Sequence, residues 1–98
     1  MAYREHFDGS RRLRLLKILY DVQGYKANEL IVGRMLDAFG YSVSSDQVRT
    51  DLAWLSEQGL LTVEELGDLQ IAELTARGAD VATGKITTPG VHRPQPGR

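Results

Sequence analysis

The stretch Ser44 to Leu61, SSDQVRTDLAWLSEQGLL, constrains the chain most, because it holds a helix start, an amphipathic face and a helix stop in one window. Ser44 with Gln47 three residues on has capping-box spacing: the hydroxyl accepts the orphan amide at the third helical position and the side-chain amide reaches back. Asp46 in the first turn suits the positive end of the helix dipole. Val48, Leu52 and Leu55 recur at helical spacing as one apolar stripe with Asp51 at its margin, while Asp46, Thr50, Ala53 and Glu57 point the other way. Gly59 closes the helix in a left-handed cap.

The flanking segments fall into place around it. Asp8 or Ser10 caps a first helix running to Val22, whose Leu13, Leu16, Leu19 and Tyr20, with Leu15 and Ile18 beside them, form a broad buried face. Arg14, Lys17 and Asp21 form its wet side, and Gly24 stops it. Asn28 caps a second helix ending at Gly40, with Ile31, Met35 and Phe39, beside Val32 and Leu36, as its apolar surface; Gly33 suits close packing there. Downstream, Gly67-Asp68 is a two-residue hairpin turn in which Gly supplies the positive φ. Pairing outward sets Leu66 opposite Leu69, Glu64 opposite Ile71 and Val63 opposite Ala72. Leu61, Val63, Ala72 and Leu74 then share the core face; Thr62, Glu64, Leu66, Leu69, Ile71 and Glu73 share the other. Thr75 caps a short last helix, ARGADVAT, weakened by Gly78. This order is that of a winged helix-turn-helix, an α+β, mostly α fold of three helices, a two-stranded wing and a short C-terminal helix. Its expected core is Leu16, Leu19, Ile31, Met35, Val48, Leu52, Leu55, Leu61 and Val63.

Residues 1–9 read as an N-terminal arm, residues 10–84 as the winged helix-turn-helix domain, and residues 85–98 as a disordered or extended tail with three prolines and no periodicity. The chain has 98 residues, 42% hydrophobic and 26% charged, which suits one small domain with a single core. It has no Cys, so disulfides and thiolate metal sites are excluded. Apolar runs are short and the start, MAYREHFDG, lacks the apolar core of a signal peptide, which points to the cytoplasm and away from a membrane.

Little in the chain suggests catalysis. His6 and His92 stand at opposite ends with no second ligand nearby, so neither a metal site nor a catalytic dyad is expected. Glu64 and Glu65 are adjacent on a strand and face opposite sides, which rules them out as an acid/base pair on one substrate. No GxGxxG or GKT/S string is present to cradle a phosphate. The expectation is no enzyme, no metal and no cofactor.

Recognition is the remaining option. Ser45, Gln47, Arg49 and Thr50 lie at or near the solvent side of the 44–61 helix, where a base-reading helix presents side chains to the major groove. Arg11, Arg12 and Arg14, with Lys17, form the densest basic cluster, a candidate phosphate track to which Lys26 adds; the plainer reading is a solvated helix face. Tyr3, Phe7, Trp54, Leu66, Leu69 and Ile71 are candidates for a partner surface, because so small a core leaves little room for them, and a symmetric homodimer would cover them. Charge runs against simple groove insertion. Residues 45–58 carry one basic and three acidic groups, and residues 59–74 carry four acidic and no basic ones. A surface of that sign repels a duplex, so any DNA binding is expected to be weak, salt-sensitive and carried by Arg11, Arg12, Arg14 and the tail.

The run DQVRTDLAWLSEQGLLTVEELGDLQIAELTARGADVATG, with PGVHRP after it, resembles the small winged-helix proteins of Mu-like prophages, a family described as DNA-binding-like or of unknown role. The resemblance extends from the RRLRLLKIL helix to the tail. More distantly, a helix ending in Gly-Leu before a hairpin and Leu-Thr is similar to regulators of the arsenic-repressor and phenolic-acid-repressor types. The resemblance implies the winged-helix fold and a phage context; taken with the outer residues of the 44–61 helix, the expected function is a DNA-binding phage or prophage transcription regulator inside the host cell. The alternative it leaves open is a protein-interaction module that keeps the fold and holds a phage or host protein. The chain departs from those regulators in the wing, where they commonly carry Arg or Lys and it has Glu64, Glu65, Asp68 and Glu73.

Overall fold

The computed structural model describes residues 2–95, with side chains from His6 onward. The elements in chain order are α1 (Ala2–Asp21), a 3-10 turn (Gln23–Tyr25), β1 (Lys26–Asn28), α2 (Glu29–Ala38), α3 (Ser45–Glu57), β2 (Leu61–Leu66), β3 (Leu69–Leu74) and α4 (Ala76–Thr83). Three of these helices start where a short polar side chain replaces the missing backbone partner. Asn28 Oδ1 accepts the Ile31 amide at 2.9 Å, Ser44 Oγ the Gln47 amide at 3.0 Å and Thr75 Oγ1 the Gly78 amide at 3.0 Å. The other half of the expected capping box is absent: Gln47 Nε2 donates instead to Asp51 Oδ1 at 3.0 Å, one helical turn on.

The sheet has three antiparallel strands in the order β1-β3-β2. The hairpin keeps the register its turn sets, with Leu66 opposite Leu69, Glu64 opposite Ile71 and Val63 opposite Ala72. Ala72 and Leu61 are buried and Leu66 is exposed, so the expected faces hold. The added strand, β1, pairs Lys26 with Glu73 and Asn28 with Ile71 on the far edge of β3. The helices pack around one core. Leu15, Leu16 and Leu19 of α1, Val32 and Leu36 of α2, Val48, Leu52 and Leu55 of α3, and Val81 of α4 are all buried.

The phase of α2 differs from expectation. Val32 and Leu36 face inward, whereas Ile31 and Phe39 are 40% and 51% exposed and Met35 is half-buried. Two adjacent apolar stripes run along this helix, and the one that meets α1 and α3 is decided by their packing, not by its own periodicity. Val63, also expected in the core, is half-buried.

The two ends of the chain differ from each other. Residues 2–9 are helical and continue α1, so Asp8 and Ser10 lie within the helix and do not cap it. The tail to residue 95 has little regular structure but packs on the domain. Thr88 and Val91 are buried, the His92 amide donates to Gly9 O at 3.2 Å, and Arg12 Nη1 donates to Gly90 O at 3.0 Å. Gly90 lies so close to Trp54 that a Cβ there would sit 2.7 Å from the indole, and it holds φ of +93°. Composition predicts a disordered or extended segment here; the grooves left by α1 and Trp54 give it enough apolar contact to order it in an irregular, extended form. No helix among the described residues is long and apolar enough to cross a membrane.

Candidate nucleic-acid interface

Helix α3 presents one face to the core and one to solvent. Val48, Asp51, Leu52 and Leu55 are buried, while Ser45, Asp46, Arg49, Thr50, Ala53 and Glu57 are exposed. The wing lies beside that outer row. What holds the two together is Glu29, placed in the first turn of α2 where a carboxylate suits the helix dipole. Glu29 is only 6% exposed and accepts three hydrogen bonds: from Arg49 Nε at 2.7 Å, from Arg49 Nη2 at 2.8 Å and from the Gln70 amide of β3 at 2.7 Å. Arg49 Nη2 also donates to Asp68 O in the wing turn at 2.7 Å. Arg49 is 44% exposed, so its partners meet it from one side and solvent from the other.

Electrostatics follow this geometry. The hydrogen bonds from Arg49, then that from the Gln70 amide, hold the Glu29 carboxyl below its ordinary value, against the opposing effect of burial. Arg49 is raised in turn, mainly by its bond to Glu29, with Glu65 and Asp68 adding. A carboxyl depressed in the folded state contributes stability that is present above its unfolded value, near 4.5, and is lost as pH falls through its folded value. In urea titrations below pH 4.5 the wild type is therefore expected to lose more stability than Glu29→Gln; parallel pH curves would remove the linkage.

The basic cluster expected on α1 is divided, its first arginine drawn into the core. Arg11 is 3% exposed and makes a two-pronged pair with Asp51, Nε to Oδ2 at 2.6 Å and Nη2 to Oδ1 at 2.8 Å, while Nη1 meets Asp8 at 3.0 Å. Arg12 stacks on Trp54, its guanidinium carbon 4.0 Å from the ring centre, and Arg14 lies 4.2 Å from the ring centre of Phe39. The expected phosphate track is thus corrected at Arg11, a core ion pair, and at Arg12, a tail anchor, while Arg14 is half-buried against the exposed ring of Phe39. Lys26 is exposed, with Glu73 at 3.9 Å. Of the polar α3 residues, Ser45 is exposed, Thr50 Oγ1 donates to Asp46 O at 3.1 Å, and Gln47 is tied to Asp51.

The apolar candidates also separate. Leu66 is 64% exposed at the wing end, Leu69 and Ile71 are half-buried, and Trp54 is covered by Arg12 and Gly90. Phe7 rests against Tyr41 with ring centres 5.6 Å apart, and the Tyr3 side chain lies outside the described residues. His6 and His92, remote in sequence, are brought to 4.4 Å between ring centres; burial, then His6, lowers His92 from its ordinary value. No three His, Cys, Asp or Glu side chains converge among the described residues.

Two residues that matter here were not picked out from the sequence. Glu29 carries a weak signal, an acid just after a cap, but its partner lies twenty residues away. Arg34 is exposed on α2, in the groove it shares with Leu30, Asp37, Val43 and Ser45, and makes no ion pair among the described residues.

Three helices, a wing on the third and a short closing helix define a winged-helix protein. Solved complexes of hsRosR-S1 and hsRosR-S4 match it with TM-scores of 0.63 and 0.62 at 23% identity, over 72% of this chain and 62% and 61% of theirs, a likeness of fold. No protein-family model matches the chain. It is 48% identical over 86 residues to gp26 of Escherichia phage Mu, 88% of each chain, and 45% identical over 78 residues to a protein of Haemophilus influenzae (strain ATCC 51907 / DSM 11121 / KW20 / Rd), 79% of this chain and 76% of that one. Both relatives are described only as uncharacterized. The chain belongs to the family of Mu gp26.

Proposed function

We propose that the chain is a winged-helix DNA-binding regulator of a Mu-like phage, acting in the host cytoplasm. The observation that carries this reading is the outer row of α3, Ser45, Asp46, Arg49 and Thr50, left exposed beside a wing whose turn accepts a hydrogen bond from Arg49. A helix-turn-helix puts the N-terminal residues of its second helix against base edges in this way, while neighbouring groups fix the duplex by its phosphates. Ser45 and Thr50 face the bases in this reading, and Arg34 takes a phosphate. Asp46, Glu57, Glu64, Glu65 and Asp68 oppose it, which keeps affinity low and binding confined to low salt. Mobility shifts on phage DNA across a salt series test this: Arg34→Ala is expected to make the dependence of log affinity on log salt shallower by about 0.9. An unchanged slope removes Arg34 from the interface.

The acidic α3 and wing favour a second reading, a module that holds a basic surface of a phage or host protein. Absence of any DNA shift at low salt by a folded sample selects it. Under either reading we propose a homodimer, supported by the exposed Tyr20, Tyr25, Ile31 and Phe39. Sedimentation at high micromolar concentration is expected to show two copies; a strict monomer removes this part.

A further inference from the structure

Arg49 occupies the position from which a recognition helix ordinarily sends a cation into the groove, yet its hydrogen bonds go to its own chain. A guanidinium has five N–H donors. Nε–H and one Nη2–H go to Glu29, and Nη2 also donates to Asp68 O, which leaves only the pair on Nη1 facing solvent. Two-pronged recognition of guanine needs adjacent donors on two nitrogens, and the nitrogen beside Nη1 is already engaged. The charge is met as well, by a carboxylate 94% buried that has no solvent to turn to. The same carboxylate takes the Gln70 amide, so α2, α3, the wing turn and the start of β3 meet at one ion pair.

We propose that Arg49 is the positioning residue of this surface: clamped by Glu29, it fixes the wing against α3 and neither reads a base nor neutralises a phosphate. This rests on the DNA-binding reading and refines it, moving sequence selection to Ser45 and Thr50. The clamp orders the wing before an encounter, so that binding does not have to supply that ordering.

The test compares Glu29→Gln, Arg49→Lys and Arg49→Met in salt-series mobility shifts, with folding verified by circular dichroism. Arg49 is exposed along one side, so Met fits the site. A positioning role predicts that all three weaken binding by a similar factor, roughly five- to tenfold, through the cost of ordering a loosened wing. The salt slope then stays that of the wild type, because no phosphate contact is lost. A contact role predicts the opposite sign for Glu29→Gln, which frees the guanidinium and tightens binding, and a slope shallower by about 0.9 for Arg49→Met alone. Unchanged or tighter binding by Glu29→Gln, or a shallower slope for Arg49→Met, overturns the proposal. If the wild type shifts no DNA, it is the DNA-binding reading that fails. Hydrogen exchange then decides the clamp: Arg49→Met is expected to speed exchange of the Leu69 and Gln70 amides, and unchanged protection there overturns it.

Discussion

Asp51→Ala is expected to destabilise the fold by about 3 kcal/mol or more, because removing one partner of a buried ion pair leaves the other charge stranded. Asp51 is 1% exposed and takes two donors from Arg11, itself 3% exposed, together with Gln47 Nε2. Asp8 remains on Arg11 Nη1, but it is 28% exposed and reaches only one edge, which places the loss at the lower end of the range for such pairs. Replacing both members by apolar residues of similar size, Arg11→Met with Asp51→Leu, should bring stability back near the wild-type value, since neither charge then needs a partner. Denaturant unfolding reads both. A single variant within about 1 kcal/mol of the wild type would mean that water reaches Arg11 and that the pair is not buried in solution.

Gly78→Ala sets two physical arguments against each other. Helix propensity alone predicts a gain of about 1 kcal/mol, because Gly in a helix interior is less favourable than Ala by that amount. The packing predicts a loss on the order of 3 kcal/mol, as overfilling does when the neighbours cannot yield. A Cβ at Gly78 would stand 1.9 Å from Leu60 O and 2.9 Å from Leu60 C. That carbonyl is held by the Thr75 amide at 3.1 Å, and Thr75 Oγ1 holds Gly59 O at 2.8 Å, so the backbone has nowhere to move without releasing the start of α4. Thermal melts decide by sign: a raised midpoint would show that the α4 contact is looser than described.

Structure is legible in the sequence wherever near neighbours set it. The three caps at Asn28, Ser44 and Thr75 are interactions across three residues, and the wing register follows from the turn at Gly67-Asp68, so all were legible. It is not legible where the deciding partner is remote. Arg11 and Asp51 are forty residues apart, and nothing local marks that the densest basic segment sends its first arginine into the core. Residue type alone marks Gly78 as a weak point in a helix, and nothing local shows the Leu60 carbonyl packed against it. β1 is three residues long, too short for any alternation to register. That the tail is extended and packed, and not disordered, is not legible, because proline content says how hard a segment is to fold into regular structure, not whether a groove is waiting for it.

One of the two outer strands of the sheet gives the wing's acidity a further meaning. β2 has β3 on one side, and its other edge is a row of backbone donors and acceptors with no strand beside it among the described residues. Such an edge invites addition of a strand from another molecule and, from there, aggregation. Thr62, Glu64 and Glu65 stand exposed along it. A second copy approaching in register would bring like charges together, so these carboxylates act as gatekeepers against edge-to-edge stacking as the protein accumulates. Glu64→Val with Glu65→Val would leave such an edge without its repulsion, whereas lysines at both positions would reverse the sign and keep it.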